Sequence, residues 1–172
     1  TKITSDGSLS YVGDATRWED LTVPVTSLKD KGDKLPVWGA YKGQLNTFWF
    51  DNSIEQELFF TVQMPHGWLE GSNIKPHVHW VAETNGPGLV GWGLEYIWTN
   101  VGATFPSSTA KIYGEAIPAG LGGDTSVSAN KHYITPLTEI SGTGKTLSSM
   151  LICRIFRDAD ANGTTDDYDQ DA

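Results

Sequence analysis

The sequence has little of what would connect the chain to a disulfide framework, a membrane or a nucleic acid. It holds one cysteine among 172 residues, so no intrachain disulfide can form. No run of about 18 apolar residues is present, which argues against a membrane-spanning helix. The 12 lysine and arginine residues are scattered rather than gathered into a basic stripe, so direct binding of DNA or RNA is not expected. No charged and then apolar leader is visible, which predicts synthesis and folding in the cytoplasm.

The single cysteine, Cys153, lies in the apolar run 150–156. A nucleophilic or redox-active cysteine needs a lowered pKa, which a nearby histidine or a helix N-terminus can provide. The sequence around Cys153 offers neither of these. We therefore expect Cys153 to be a small, buried core residue.

The negative charge of the chain is concentrated at one end. The formal net charge is −9, and residues 158–172 hold six of the 21 acidic residues and no basic one. We divide the chain into an N-terminal arm (1–35), a core domain (36–157) and an acidic loop or tail (158–172). Within the arm, Trp18 and Leu21 are the expected anchors of one strand, and 29–34 is expected to be a solvated charged loop.

Short alternating apolar segments, separated by turn signals, predict an all-β fold. The expected strands are 44–50, 57–64, 74–82, 91–98, 110–117, 132–140 and 147–157. In 91–98 the large apolar side chains alternate with glycine, so one face is apolar and the other allows close approach of another backbone. With 7 Trp, 6 Tyr and 6 Phe to fill a core, we predict an antiparallel β-sandwich or jelly roll with an extended N-terminal arm.

Two histidines two positions apart are the sharpest candidate for chemistry. His77 and His79 share one face of a predicted strand, where two imidazoles can converge on a metal ion, and Glu83 could add a carboxylate oxygen. The spacing resembles the first motif of the cupin family, which is a jelly-roll family. The downstream cupin motif is incomplete, because no histidine follows 118–120 at the required distance and the next is His132. The alternative without a metal ion is a pair of histidines on a polar sheet face.

The acidic segment resembles a calcium loop. Asp158, Asp160, Asn162 and Gly163 occupy positions 1, 3, 5 and 6 of an EF-hand pattern, with aspartates at positions 9 and 12. No amphipathic helix flanks the segment, so a true EF-hand is excluded. Two interpretations stay open: a calcium-binding turn of another kind, or a solvated acidic loop.

Two further patterns do not indicate an enzyme. The segment 141–146 resembles the end of a phosphate-binding loop, but it lacks the first glycine and precedes a strand, so we predict a turn. The four histidines have no motif partners for a Ser-His-Asp set. Trp38, Tyr41 and Trp49 could stack on sugar rings if they were exposed, although burial in the core is the preferred interpretation.

A broad resemblance covers most of the chain from Trp18 to Asp158. The segments that carry it are 18–21, 56–71, 76–80, 92–102, 142–145 and 148–158. Its strongest strings are PHVHW at 76–80 and WGLEY at 92–96. Together they resemble a family of uncharacterised proteins encoded by tailed bacteriophages and prophages among their virion genes. The resemblance implies a place in a virus particle and carries over no activity.

We therefore expect a non-enzymatic structural component of a bacteriophage virion, such as a capsid decoration (cement) protein or a head or tail fibre module. It would act by protein–protein adhesion, with itself as a homo-oligomer (a trimer is favoured) and with another virion protein such as the major capsid protein. No catalytic residue, cofactor or metal ligand is assigned. The alternatives are a cupin-like metal-binding protein centred on His77, His79 and Glu83, and a carbohydrate-binding module for host recognition.

Overall fold

A computed structural model describes residues 2, 3, 5, 7, 9, 10, 19–115 and 126–172 of the chain. Within them the regular structure is twelve β-strands and one short 3-10 helix, Val25–Ser27. The strands are β1 (Lys2–Ile3), β2 (Leu9–Ser10), β3 (Val37–Lys42), β4 (Leu45–Trp49), β5 (Glu57–Gln63), β6 (His77–Val81), β7 (Gly86–Pro87), β8 (Gly91–Thr99), β9 (Ala110–Glu115), β10 (Ser126–Val127), β11 (His132–Pro136) and β12 (Met150–Arg157). The all-β prediction is confirmed. No helix in these ranges is long and apolar enough to cross a membrane.

The largest sheet has four antiparallel strands in the order β5-β12-β8-β9. Strand β12 lies between β5 and β8, so its alternate residues Leu151 and Cys153 stand beside the apolar faces of both neighbours. The apolar face predicted for β8 is the core face, and Trp92, Leu94 and Trp98 are buried there. Period-two alternation placed this face correctly because a strand that covers a core has one buried side.

A second layer, formed by the antiparallel pair β6–β11, covers this core face. Trp80 and Tyr133 point inward and stack with 4.7 Å between their ring centroids. The indole N–H of Trp80 donates to the hydroxyl of Thr135 at 2.9 Å, which satisfies a buried donor. Trp80 also lies 6.4 Å from Trp92 of the large sheet, so aromatic rings join the layers. The sandwich is confirmed, and jelly-roll connectivity stays a prediction.

The two glycines on the opposite face of β8 admit different neighbours. A Cβ at Gly91 would lie 1.8 Å from the hydroxyl of Thr164 and 3.3 Å from the carbonyl oxygen of Thr165, so the acidic segment passes directly over it. A Cβ at Gly93 would lie 2.1 Å from the ring of Phe156. The expected close approach of another backbone is thus found at Gly91, whereas Gly93 makes room for a side chain.

The anchor of the N-terminal arm differs from the predicted one. Leu21 is 49% exposed, and the described residues 19–24 form no strand, while Trp18 lies outside the described residues. Instead, Leu28 packs against the core, and Lys29 exchanges two backbone hydrogen bonds with Phe59 of β5, at 2.9 and 2.7 Å. The residues of the predicted solvated loop 29–34 are all exposed, and the loop is tied to β5 through the backbone of Lys29. The edge of β5 offers backbone hydrogen bonds to the arm. Burial of the short apolar segment around Leu21 could not supply such bonds.

The acidic segment 158–172 is packed into the fold at a few residues, while residues 160–163, 165, 167, 169 and 170 are exposed. Tyr168 is 1% exposed and Asp158 is fully buried. The guanidinium of Arg157, itself fully buried, pairs with Asp166 at 2.7 Å and donates to the backbone oxygens of Tyr168 and Gln170 at 2.6 and 2.7 Å. The prediction of a solvated loop holds for the exposed residues and is wrong where Asp158, Asp166 and Tyr168 are packed in. There this arginine neutralises one carboxylate and binds the carbonyl groups that an irregular segment leaves without partners.

Candidate functional site

A β-hairpin that pairs with no other described strand is the candidate functional site. Strands β3 and β4 form a separate two-stranded sheet with Val37 opposite Trp49 and Trp38 opposite Phe48. Gly43 has a φ of +59°, which permits the tight turn between the two strands. An isolated two-stranded hairpin is marginally stable in water unless one of its faces is packed. We call residues 37–49 the β3–β4 hairpin.

The hairpin exposes three large apolar side chains. Val37 is 61% exposed, Trp38 46% and Leu45 68%. The predicted burial of Trp38 in the core is wrong, and Tyr41 and Trp49 are only partly buried. The aromatic rings pair within the hairpin instead: Trp38 lies 4.7 Å from Phe48, and Tyr41 lies 6.0 Å from Trp49. These contacts order the rings on the hairpin and leave their outer surfaces accessible.

The base of the hairpin is fixed to the sandwich. Phe50, which follows β4, is buried and packs edge-on against Trp92 with 5.1 Å between centroids. Its backbone N–H donates to the carbonyl oxygen of Ala172 at 2.9 Å, and the N–H of Ala172 donates back at 3.2 Å. The exposed apolar side chains therefore stand on a support that is held at one end by the core.

Three histidines meet on the outer face of the second layer. His77 and His79 point outward from β6, as the sequence predicted, and their ring centroids are 4.9 Å apart. His132 enters from β11, and its Nε2 lies 2.7 Å from Nδ1 of His79. Sequence reasoning set His132 aside because its spacing did not fit a motif. Only the pairing of Val81 with His132 reveals that it is a diagonal neighbour of His79.

Glu83 does not join these histidines. It lies beyond the end of β6, and its N–H donates to the carbonyl oxygen of Asp171 at 3.3 Å. Among the described residues, the ligand atoms of His77, His79 and Glu83 do not all three lie within 4.8 Å of one another. The alternative metal centre formed by these three residues is therefore not assembled. The strand ends between the histidines and the glutamate, so the alternation of faces no longer relates their side chains.

We expect His79 to titrate below an ordinary histidine. Partial desolvation lowers the pKa of His79 first, the charges of His77 and His132 lower it further, and Asp20 raises it. Because the folded protein favours the neutral ring, its contribution to stability is lost as pH falls from the ordinary histidine pKa towards the folded value. NMR titration should show that His132→Ala raises the pKa of His79 and that His66→Ala leaves it unchanged. An unaltered His79 titration in His132→Ala would contradict this interpretation.

The calcium-loop prediction is only partly reproduced. Asp158 and Asp160, at its first and third positions, stay close together. Asp166, at position 9, is instead paired with Arg157. Asp169, at position 12, is exposed, and its Oδ1 accepts from the amide of Gln170 at 3.3 Å. The segment therefore does not wrap around one central point as an EF-hand loop does.

The remaining candidates are structural. Cys153 is 3% exposed, and burial raises the pKa of its thiol to about 12, so the predicted inert core residue is confirmed. The segment 141–146 forms a turn in which the N–H of Lys145 donates to the carbonyl oxygen of Gly142 at 2.8 Å. The strand β12 follows it at Met150, so the rejection of a phosphate-binding loop is confirmed.

Comparison with known proteins gives no neighbour: no family model, curated protein or solved structure matches this chain. The fold and the sites define an antiparallel all-β sandwich with an exposed aromatic hairpin. The resemblance to virion proteins of tailed bacteriophages stays a prediction.

Proposed function

We propose that the chain is a non-enzymatic structural component of a bacteriophage virion that acts by protein–protein adhesion. It serves as a capsid decoration (cement) protein or as a head or tail fibre module, made in the host cytoplasm and carried in the particle. Its partners are further copies of itself, with a trimer favoured, and another virion protein such as the major capsid protein. A jelly-roll connectivity belongs to the same proposal.

The exposed β3–β4 hairpin is the observation that carries this proposal. Val37, Trp38 and Leu45 are all exposed on this one small element, with the neighbours Val37 and Trp38 on its two opposite faces. Exposed apolar side chains grouped on one element are a feature of interaction sites in soluble proteins. Tryptophan in particular is enriched among the residues that dominate binding energy at protein interfaces. The unpaired outer edges of β3 and β4 add backbone donors and acceptors that a neighbouring strand can use.

A second copy of the chain is the first partner to test, because most soluble oligomers are closed symmetric assemblies of one chain. We expect light scattering to report a discrete oligomer. Trp38→Ser should weaken self-association by about thirtyfold, the effect of removing an interface side chain worth about 2 kcal/mol. Leu45→Ser should act in the same direction. Sedimentation velocity over a concentration series measures the change.

The matched control is Leu69→Ser. Leu69 is 63% exposed, close to the 68% of Leu45, but it lies outside the hairpin. If Leu69→Ser weakens association as much as Leu45→Ser does, exposed apolar surface in general drives it, and the hairpin has no special role. Co-sedimentation with phage heads then tests the partner in the virion: the wild-type chain should bind, and Trp38→Ser should not.

A carbohydrate-binding module is the second candidate, favoured by the 46% exposure of Trp38. A partly exposed indole can offer its face to a sugar ring. A Trp38 buried in the core, the interpretation preferred from the sequence, could not do so. The two candidates separate on the same variant. If Trp38→Ser abolishes binding to host surface glycans and leaves the oligomer intact, the hairpin is a sugar site rather than a subunit contact.

A further inference from the structure

Asp158 is a buried carboxylate with one oxygen left without a partner. It follows the last residue of β12 and is fully buried. Its Oδ2 accepts from the N–H of Gly163 at 2.9 Å and from the N–H and hydroxyl of Thr164 at 2.7 and 3.0 Å. Its Oδ1 is also buried and accepts no hydrogen bond from the described residues. Burying a carboxylate oxygen without a donor costs free energy, so this oxygen calls for a binding partner.

Two further carboxylates approach the same point. Glu55 comes from the turn between β4 and β5, and Asp160 comes from the acidic segment. One oxygen of each lies within 4.8 Å of the others and of an oxygen of Asp158. Burial raises the pKa of Tyr113 first, and the charges of Asp158, Glu55 and Asp160 raise it further. Elements distant in sequence thus bring three acidic side chains together at the outer face of the large sheet.

The arginines of β12 offset only part of the charge of this cluster. Arg157 turns towards Asp166. Arg154 binds Glu55, but it shares its guanidinium with Glu57 and with Glu95, the latter at 3.2 Å. In the part of the chain that the structure describes, no ion pair reaches Asp158 or Asp160. The cluster therefore carries an excess of negative charge beside a buried oxygen that lacks a donor.

We propose that Glu55, Asp158 and Asp160 form a binding site for Ca²⁺. Carboxylate oxygens are the ligands of hard cations, and Ca²⁺ accepts six to eight oxygens in flexible geometry, so irregular loops and water molecules can complete its shell. A cation here offsets the repulsion between the three carboxylates, one of which, Asp158, keeps a buried oxygen without a donor. The ion would fasten the acidic segment to the turn that precedes β5. This site is independent of the proposed adhesion through the β3–β4 hairpin.

The test uses the full chain, stripped with EDTA and titrated with CaCl₂ by calorimetry. We expect one saturable site and a rise in melting temperature with calcium, because a ligand that binds only the folded state stabilises it. Glu55→Gln and Asp160→Asn should each weaken calcium binding at least about tenfold, the lower end of what losing even an outer-shell partner does at metal sites. Asp158 is left unchanged because its burial makes a substitution there a folding defect.

Asp169→Asn is the matched control, because Asp169 belongs to the same acidic segment but lies outside the cluster. In a linear EF-hand-like loop Asp169 would be the last ligand, whereas here the site needs Glu55 from another turn. Normal binding in Asp169→Asn with weakened binding in Glu55→Gln supports the proposal. The opposite pattern overturns it in favour of the linear loop. Absence of saturable binding up to about 10 mM, above the weakest class of calcium modules, also overturns it.

Discussion

Replacing Arg157 by alanine is expected to destabilise the protein by about 3–5 kcal/mol, the usual effect of removing one partner from a buried ion pair. Arg157 is fully buried and pairs with Asp166, which is buried with it. Without the guanidinium, that carboxylate keeps its charge in a site closed to water. The backbone oxygens of Phe50, Tyr168 and Gln170 lose a donor at the same time.

Urea unfolding of Arg157→Ala, followed by tryptophan fluorescence, measures this loss. The control is Lys75→Ala, which removes the ion pair with Glu139 at the surface, 2.8 Å long and half exposed on both sides. That change should leave the urea midpoint nearly unchanged, because exposed ion pairs contribute little. Comparable losses in the two variants would mean that Arg157 does not hold the acidic segment to the core.

Phe156→Ala is expected to cost a similar amount, about 3–5 kcal/mol, as large-to-small substitutions of buried aromatic residues do. Phe156 is fully buried although it points away from the core face of the sheet. Tyr113 packs edge-on against its ring at 5.9 Å, and the guanidinium of Arg154 lies 4.1 Å from its centroid. Truncation to alanine leaves a cavity that these neighbouring side chains fill poorly.

Gly93 provides the complementary test. Gly93→Ala adds a Cβ that would lie 2.1 Å from the ring of Phe156, and overpacking of this kind costs about 1–3 kcal/mol. Phe156→Leu makes a shorter side chain there, so the double variant Gly93→Ala/Phe156→Leu should lose less stability than the sum of the two single variants. Strict additivity of the two urea-unfolding free energies would show that the two positions are not packed against each other.

The strands of the large sheet could be predicted because their information is local. Alternation of Trp92, Leu94 and Trp98 with small or polar residues marks the buried side of β8 without any knowledge of its partners. The same reasoning located β5 and β12 and assigned Cys153 to the core. It failed for Trp38, because an aromatic residue on a hairpin has the same local pattern as one inside a sandwich, and only the packing of neighbouring strands decides which it becomes.

Composition misled the prediction for the acidic segment. Six aspartates without a basic residue are typical of a solvated tail. The cation that binds Asp166 is Arg157, which precedes the segment in the chain and had been read as the end of a strand. The side chain of Arg157, at the end of β12, thus contacts Asp166 in the segment that follows the strand. This contact depends on the burial of both residues.

The sequence by itself determined the all-β class, the approximate positions of seven strands, the buried faces of the main ones and the absence of an intrachain disulfide, since each follows from residue type and spacing along the chain. Strand β3 was not predicted. The tertiary structure alone decided which distant residues meet: His132 with His79 across a strand pair, Glu55 with Asp158 and Asp160 across two loops, and Lys29 with the edge of β5. The physical reason is that strand register and loop closure set these distances, and neither leaves a periodic signature in the residues that are brought together.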